Sequence, residues 1–339
     1  MIEGKNNIVE ALNHFGQKRQ ACFFMLDFEA EKGLVLDQKD CLKEGILYDI
    51  KGKSNFNKPA AEMNGDFHFE AKKIPFEVYD PAFQKVQHEI DAGNTYLLNL
   101  TFPTEIETDL SLKEIFFRSK AKFKLLYKDA FVVFSPETFV KIVNNKVYSY
   151  PMKGTIDASI KNAYKKLKNS TKEIAEHHTI VDLIRNDLNR VSKKVVLEKF
   201  RFIEKVKTHD TTLLQVSSRI SGVLPKGFRD QLGKVLMEML PAGSVTGAPK
   251  KKTIEIIKDA ENYQRGFYTG VFGIFDGRNL YSSVMIRFIQ KEKERYFFKS
   301  GGGITTFSKS KEEHQELIDK IYVPITGKHK NQKRKSPSA

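Results

Sequence analysis

The chain has 339 residues, 40% of them hydrophobic, enough to bury a large core in one domain or in a domain with a small appendage. It holds no apolar run of the ~18 residues a membrane helix needs, and the opening MIEGKNNIVEALNHFG lacks the basic, apolar and small-residue order of a signal peptide, so a cytoplasmic protein with no membrane partner is expected. Cys22 and Cys41 are too few for a disulfide framework or a cysteine metal site. Of the formal charge of +15, five positive charges (Lys328, Lys330, Lys333, Arg334 and Lys335) lie in the final stretch GKHKNQKRKSPSA, and the rest is spread as lysine over surface-like helical faces. Such a spread reads as a solvated surface that also speeds encounter with an anionic substrate. No basic-aromatic cluster accompanies it, so nucleic acid is not an expected partner; a basic, non-catalytic nucleic-acid-associated protein is the alternative from another class.

In chain order, residues 1–75 form a short, less periodic segment with turn material (GKSNFNKP, NGD), expected to pack on the core, although 21–28 (ACFFMLDF) reads as a strand. The Asp80-Pro81 pair predicts a helix start. Strands are predicted at 130–134, 269–275, 280–289 and 295–300, helices over 159–190, 227–240 and 311–322, and another helix opening at Pro249. Asp276-Gly277 signals a hairpin. Strands and helices come in mixed order without regular alternation, which predicts an α+β fold with a main domain over 76–325 and a disordered basic tail over 326–339.

Several groups can carry chemistry. Glu173 and Glu176 stand three residues apart on one helical face, and Glu313 and Glu316 repeat the spacing. Each pair alone fits a solvated helix; together they fit a hard cation, for which magnesium suits all-oxygen ligands. The triple glycine 301–303 follows a strand and lets backbone N–H groups approach an anion, or is a plain flexible turn. Arg287 interrupts an apolar strand, where its charge requires a carboxylate from the protein or a ligand. The segment 243-GSVTGAPKKKTIE-255 leads a Gly/Ser/Thr loop into a helix, as an anion site or a capping loop. Lys153 lies between a β-like run and a Gly-Thr turn, as a surface charge or, if desolvated, a nucleophile.

Taken in order, SPE (135–137), PMKGT (151–155), KEIAEHHTIVDLIRNDLNRV (172–191), GSVTGAPK (243–250), RGFYTGVFG (265–273), the Arg287 strand, GGGI (301–304) and EHQELIDK (313–320) resemble the chorismate-utilising enzymes, over roughly residues 80–324. That family includes the anthranilate, aminodeoxychorismate, isochorismate and salicylate synthases. The resemblance implies two large β-sheets packed face to face with helices outside, holding chorismate and magnesium in a cleft. It assigns Glu176 and Glu316 as metal ligands, with Glu173 and Glu313 on metal-bound water. It also places Gly154, Thr155, Ser244, Tyr268, Arg287, Gly301, Gly302, Gly303 and Lys320 around the substrate.

The same resemblance makes Glu137 the acid that protonates the leaving C4 hydroxyl. Lys153 stands where most of the family has alanine; in the members that carry lysine here it attacks C2, ammonia then adds at C4, and nitrogen ends para rather than ortho. The implied reaction converts chorismate and ammonia to 4-amino-4-deoxychorismate, on the way to 4-aminobenzoate and folate, with ammonia from a glutamine amidotransferase partner. Ortho amination, as in an anthranilate synthase large subunit, is the runner-up. Leu97 and Gln215 depart from the glutamine and histidine common at those positions, and the short N-terminal region argues against a tryptophan pocket.

Overall fold

The apolar runs of the sequence become strands in two sheets, in a computed structural model that describes residues 1–57, 65–169, 171–207 and 212–325. The expected tail, 326–339, lies outside the described residues. One sheet runs in the order β1 (Ile2–Glu3), β3 (Lys32–Asp37), β2 (Cys22–Leu26), β16 (Val271–Phe275), β17 (Leu280–Val284), β10 (Thr138–Val143), β11 (Lys146–Ser149), β14 (Thr212–Val223) and β12 (Met152–Asp157), with β13 (Lys193–Lys207) also paired to β14. The other runs β15 (Gly247–Ala248), β7 (Leu97–Thr108), β19 (Arg295–Ile304), β18 (Phe288–Glu292), β9 (Phe131–Ser135), β8 (Phe123–Tyr127), β4 (Ile46–Ile50) and β5 (Lys53–Ser54), with β6 (Phe69–Ala71) beside β7. All these pairings are antiparallel.

Alternation along β2 explains the layering. Phe23 and Met25 point into an apolar core shared with Phe272, Ile274, Tyr48, Leu125, Phe131 and Phe288, which joins the two sheets face to face. Cys22, Phe24 and Leu26 point the other way, onto α1 (Lys5–Gln17), α5 (Thr171–Val191) and α6 (Leu232–Glu238). The outer face of the second sheet is covered by α2 (Phe76–Asp91), α7 (Lys250–Ala260) and α8 (Ser310–Asp319) at one end and by α3 (Leu112–Arg118) at the other. A short α4 (Ala163–Asn169) packs near β12. The architecture is α+β with two large packed sheets flanked by helices. Residues 1–75 supply strands to both sheets.

Three local expectations change. The helix expected at Asp80-Pro81 starts at Phe76, with Pro75 as its N-cap, because Tyr79, Phe83, Val86 and Ile90 form one buried stripe that begins before the proline. The helix expected over 159–190 is described as α4 and α5. The apolar run 280–289 is two strands in different sheets: β17 ends at Val284, and the chain crosses over with Arg287 at φ 53° before β18 begins. The Asp276-Gly277 hairpin forms between β16 and β17, its Asp276 carboxylate accepting from the Arg278 N–H at 3.0 Å and the Asn279 N–H at 2.7 Å, with Gly277 at φ 89°.

Phe272 is fully buried in the inter-sheet core, between β2 and β17. Phe272→Ala is expected to lower unfolding stability by about 3–5 kcal/mol in urea titrations; a loss below about 1 kcal/mol would show that the two layers do not depend on this contact.

Candidate active site

Several of the quoted motifs meet where the end of the first sheet, β12, comes over the C-terminal half of β19 in the second. Lys153, on β12, ion-pairs with Glu176 of α5 at 2.9 Å. A Cβ built on Gly303 would stand 3.4 Å from the Lys153 amine and 3.2 Å from Leu97, so this lysine reaches across from one sheet to the other. Gly154 has φ 83°, and a Cβ there would stand 2.7 Å from the Glu173 carboxylate, so glycine is what lets β12 pass this close to α5. The Thr155 side chain lies outside the described residues.

The other rim is built on α8. Lys320 pairs with Glu316 at 2.7 Å and donates to the Gly301 carbonyl at 2.8 Å. A Cβ on Gly302 would face Glu313 at 3.5 Å and the Lys320 amine at 3.8 Å. Ser308 donates to Glu313 at 2.8 Å. Arg287 donates to the Lys320 carbonyl and lies over the Tyr322 ring at 4.4 Å. Its expected carboxylate partner is therefore replaced, among the described residues, by a carbonyl and a ring, which leaves part of its planar fork for a ligand.

Glu137 follows β9 and accepts a hydrogen bond from Ser244, which sits in the 3₁₀ turn Gly243–Val245. Burial pushes the Glu137 carboxyl above the usual carboxylate range, with Ser244 and the Lys153 charge pulling it partly back. Beside it a cavity of about 20 Å³, room for about one water, is lined by Glu137, Ser149, Asp187 and Ser244. Burial pushes the Lys153 amine down, but Glu176, Glu316 and Glu173 outweigh it and hold its pKa above the ordinary lysine value. Lys320 goes the other way: burial lowers it, helped by Lys153 and Arg287, against Glu316.

Of the sequence-predicted residues, Lys153, Gly154, Glu173 and Glu176 form one cluster and Gly301, Gly302, Lys320, Glu313 and Glu316 a second, joined at Gly303; Glu137 and Ser244 form a third pair. Tyr268 is buried with its ring edge-on to Phe288, at 5.8 Å. Among the described residues no three His, Cys, Asp or Glu side chains gather into a group that could hold a metal. Glu176 and Glu316 are instead each neutralised by a lysine ammonium. Their chemistry nonetheless fits a hard cation: the donors are carboxylate oxygens from two helices, each already facing a positive group.

Two supports went unread in the sequence. Asp187 and Lys250, within the quoted RND and GAPK stretches, form a buried ion pair at 2.6 Å that ties α5 to the start of α7. Arg265 and Glu261 form another, with side chains only 2% and 1% exposed. Arg265 also donates to the carbonyls of Val245, at 2.8 Å, and Asn99, at 2.5 Å, while Glu261 accepts from the Thr101 N–H and hydroxyl at 2.9 and 2.8 Å. The signal available was an arginine inside an otherwise apolar motif, a position that demands a partner. His177 is also buried, and its Nε2 bonds the Ser218 hydroxyl at 2.7 Å, which sets the rotation of α5 beside Glu176.

A profile of the family described as chorismate binding enzyme matches residues 19–326. An uncharacterized PabA-like protein of Haemophilus influenzae is 46% identical over 321 residues, covering 95% of this chain and 97% of that protein. Aminodeoxychorismate synthase component 1 of Escherichia coli is 32% identical over 268 residues, 72% of this chain but 56% of that protein. Among solved structures, the putative 2,3-dihydroxybenzoate-specific isochorismate synthase DhbC of Bacillus anthracis shares the fold with a TM-score of 0.71 at 18% identity, covering 94% of this chain and 88% of that one.

Removing one partner of a buried pair strands the other. Arg265→Met is expected to destabilise the protein by about 3–5 kcal/mol, and the double variant Arg265→Met/Glu261→Leu to recover a substantial part. A double-mutant cycle by urea unfolding checks this; additive losses would mean the pair does not act as a unit.

Proposed function

The chain belongs to the family of chorismate binding enzymes, and within it we propose that it aminates chorismate at C4, taking chorismate and ammonia to 4-amino-4-deoxychorismate as an aminodeoxychorismate synthase. The observation that carries this reading is the place of Lys153, whose amine occupies the gap between Glu176 and the glycine strand at Gly303. An amine there bars a small nucleophile from the ring carbon it faces and offers its own nitrogen instead. That weighs against the ortho amination of an anthranilate synthase.

In the proposed sequence the Lys153 nitrogen bonds to C2 as the ring double bonds shift and the C4–O bond breaks. Glu137 gives its proton to the departing hydroxyl, which leaves as water; the raised carboxyl pKa suits an acid. Ammonia then bonds to C4, the double bonds shift back, and the C2–N bond breaks with its electron pair returning to the lysine. The surplus proton on the new amine returns to Glu137. Neither step touches the enolpyruvyl ether, so it stays on the product, and formation of 4-aminobenzoate for folate would need a separate lyase.

Arg287, Lys320, Ser244 and the backbone of Gly301 and Gly303 would take the substrate carboxylates. Glu176 and Glu316, with Glu173 and Glu313 beside them, would hold magnesium, which supplies charge neutralisation for a substrate carboxylate. Before attack Lys153 must part from Glu176 and lose a proton. Ammonia would come from a glutamine amidotransferase partner: Cys22 and Cys41 are both in the core, and burial pushes each thiol up to about 12, far from a glutaminase nucleophile.

The deciding assay incubates the purified chain with chorismate, magnesium and ammonium and identifies the product by mass and NMR. Lys153→Ala is expected to lower 4-amino-4-deoxychorismate formation at least ~100-fold and to release a slow ortho-substituted product; the para product at the wild-type rate would refute the covalent route. Glu137→Gln should keep chorismate affinity within about threefold while losing at least ~100-fold in kcat, since an amide cannot protonate the leaving hydroxyl. Equal losses in binding and rate would make Glu137 a positioning group.

A further inference from the structure

A second cavity lies further back along β19, outside the chemistry described above. It is a half-open cleft of about 440 Å³, a volume in the range of small-ligand pockets, between the face of β18 and β19 and the segment 263–267. Its walls are part aromatic, with Tyr263, Phe131, Phe288 and Phe297, and part polar, with Gln264, Gln290 and Glu292. Phe131 is stacked on Phe288 at 4.8 Å and on Phe267 at 5.5 Å, so these rings hold one another in fixed positions.

The one cation of lysine type in that lining is Lys299, which is only 3% exposed. An ammonium carries three donors. Among the described residues Lys299 has a single hydrogen bond, to the Arg265 carbonyl at 3.2 Å, and otherwise faces the rings of Tyr263 at 5.2 Å and Phe288 at 5.8 Å. A buried ammonium with donors left over is costly unless an anion completes it. Burial lowers its pKa to about 8, with Arg265 adding to the fall and Glu292 and Glu261 opposing it, so near neutral pH the charge is still present but thinly supported.

We propose that this cavity is a binding site for a small planar aromatic acid, whose carboxylate completes the hydrogen bonding of Lys299 while its ring lies against Phe288 and Phe297. An aromatic ring suits a wall of fixed rings, and a single carboxylate suits a single buried ammonium. A dianion such as the active-site substrate would find no second cation, since the Arg265 guanidinium is already committed to Glu261 and to backbone carbonyls. The inference does not depend on the reaction proposed for the cleft.

The test titrates benzoate, 4-aminobenzoate and the neutral isostere benzyl alcohol into the full-length chain, followed by saturation-transfer NMR and thermal shift. Three proteins are compared: wild type, Lys299→Met and the cleft variant Arg287→Ala. Binding of the two acids to wild type and Arg287→Ala alike, weaker by tenfold or more for Lys299→Met and for benzyl alcohol, is the expected result. Phe297→Ala, which leaves the lysine in place, should also weaken the acids and covers the case in which Lys299→Met does not fold. No binding of either acid at 10 mM, equal binding to Lys299→Met, or loss in Arg287→Ala would overturn the assignment, the last by moving the acid into the cleft.

Discussion

Most of the cleft hangs on one buried guanidinium. Arg265 binds Glu261 through two nitrogens and reaches the carbonyls of Val245 and Asn99, and Glu261 in turn accepts from Thr101. Val245 is next to Ser244, the donor to Glu137; Thr101 pairs in register with Gly301 on β19. A buried ion pair is weak evidence for stability, because desolvation offsets much of its attraction. Its value here is positional: groups from β7, the 243–245 turn and the segment after α7 are all referred to one planar fork, whose directions are fixed.

Around that frame the cleft is electrically self-satisfied without a ligand. Lys153 closes on Glu176 and Lys320 on Glu316, so each lysine is paired with a carboxylate suited to a cation. In the proposed reaction, a dianionic substrate arriving with a divalent ion would open both pairs together: the carboxylates to the ion, Lys320 to a substrate carboxylate and Lys153, once deprotonated, to C2. Either ligand alone would leave half of the exchanged charges without partners in a partly buried setting, which is unfavourable. Under the proposed reaction the two ion pairs would therefore couple the two binding events.

Local elements were more legible in the sequence than the way its residues meet. The Asp276-Gly277 hairpin was legible because its chemistry is local; the triple glycine was expected to follow a strand ending at 300, whereas β19 runs through it to Ile304 because it pairs with β7. Arg287 was misplaced within one strand because 284-VMIRFI-289 is apolar on both sides of it; the run is buried in two different sheets, and periodicity alone carries no mark of a crossover. The Glu261–Arg265 pair left no mark in the sequence, because α7 ends at Ala260 and the two side chains meet in the interior, where only tertiary contacts decide their role. The glutamates at 173, 176, 313 and 316 were read as facing one point, whereas two of them face lysines whose position depends on β12 and on the end of α8.

The glycine strand shows why a run of three is needed rather than one. Side chains alternate across a strand, so Gly301 and Gly303 clear one face of β19 and Gly302 clears the other. On the first face the cleared space admits Lys153 from the opposite sheet and Leu97; on the second it admits Glu313 and Lys320 from α8. Side chains from a strand and from a helix can thus approach the same few backbone atoms from both sides. Two residues earlier on the first face stands Lys299, where the strand again carries full side chains and the adjoining space is walled by rings instead of backbone. One strand therefore presents bare peptide groups to the cleft at one end and a buried ammonium to a partly aromatic pocket at the other, and the change from one to the other is the change from lysine to glycine on a single face.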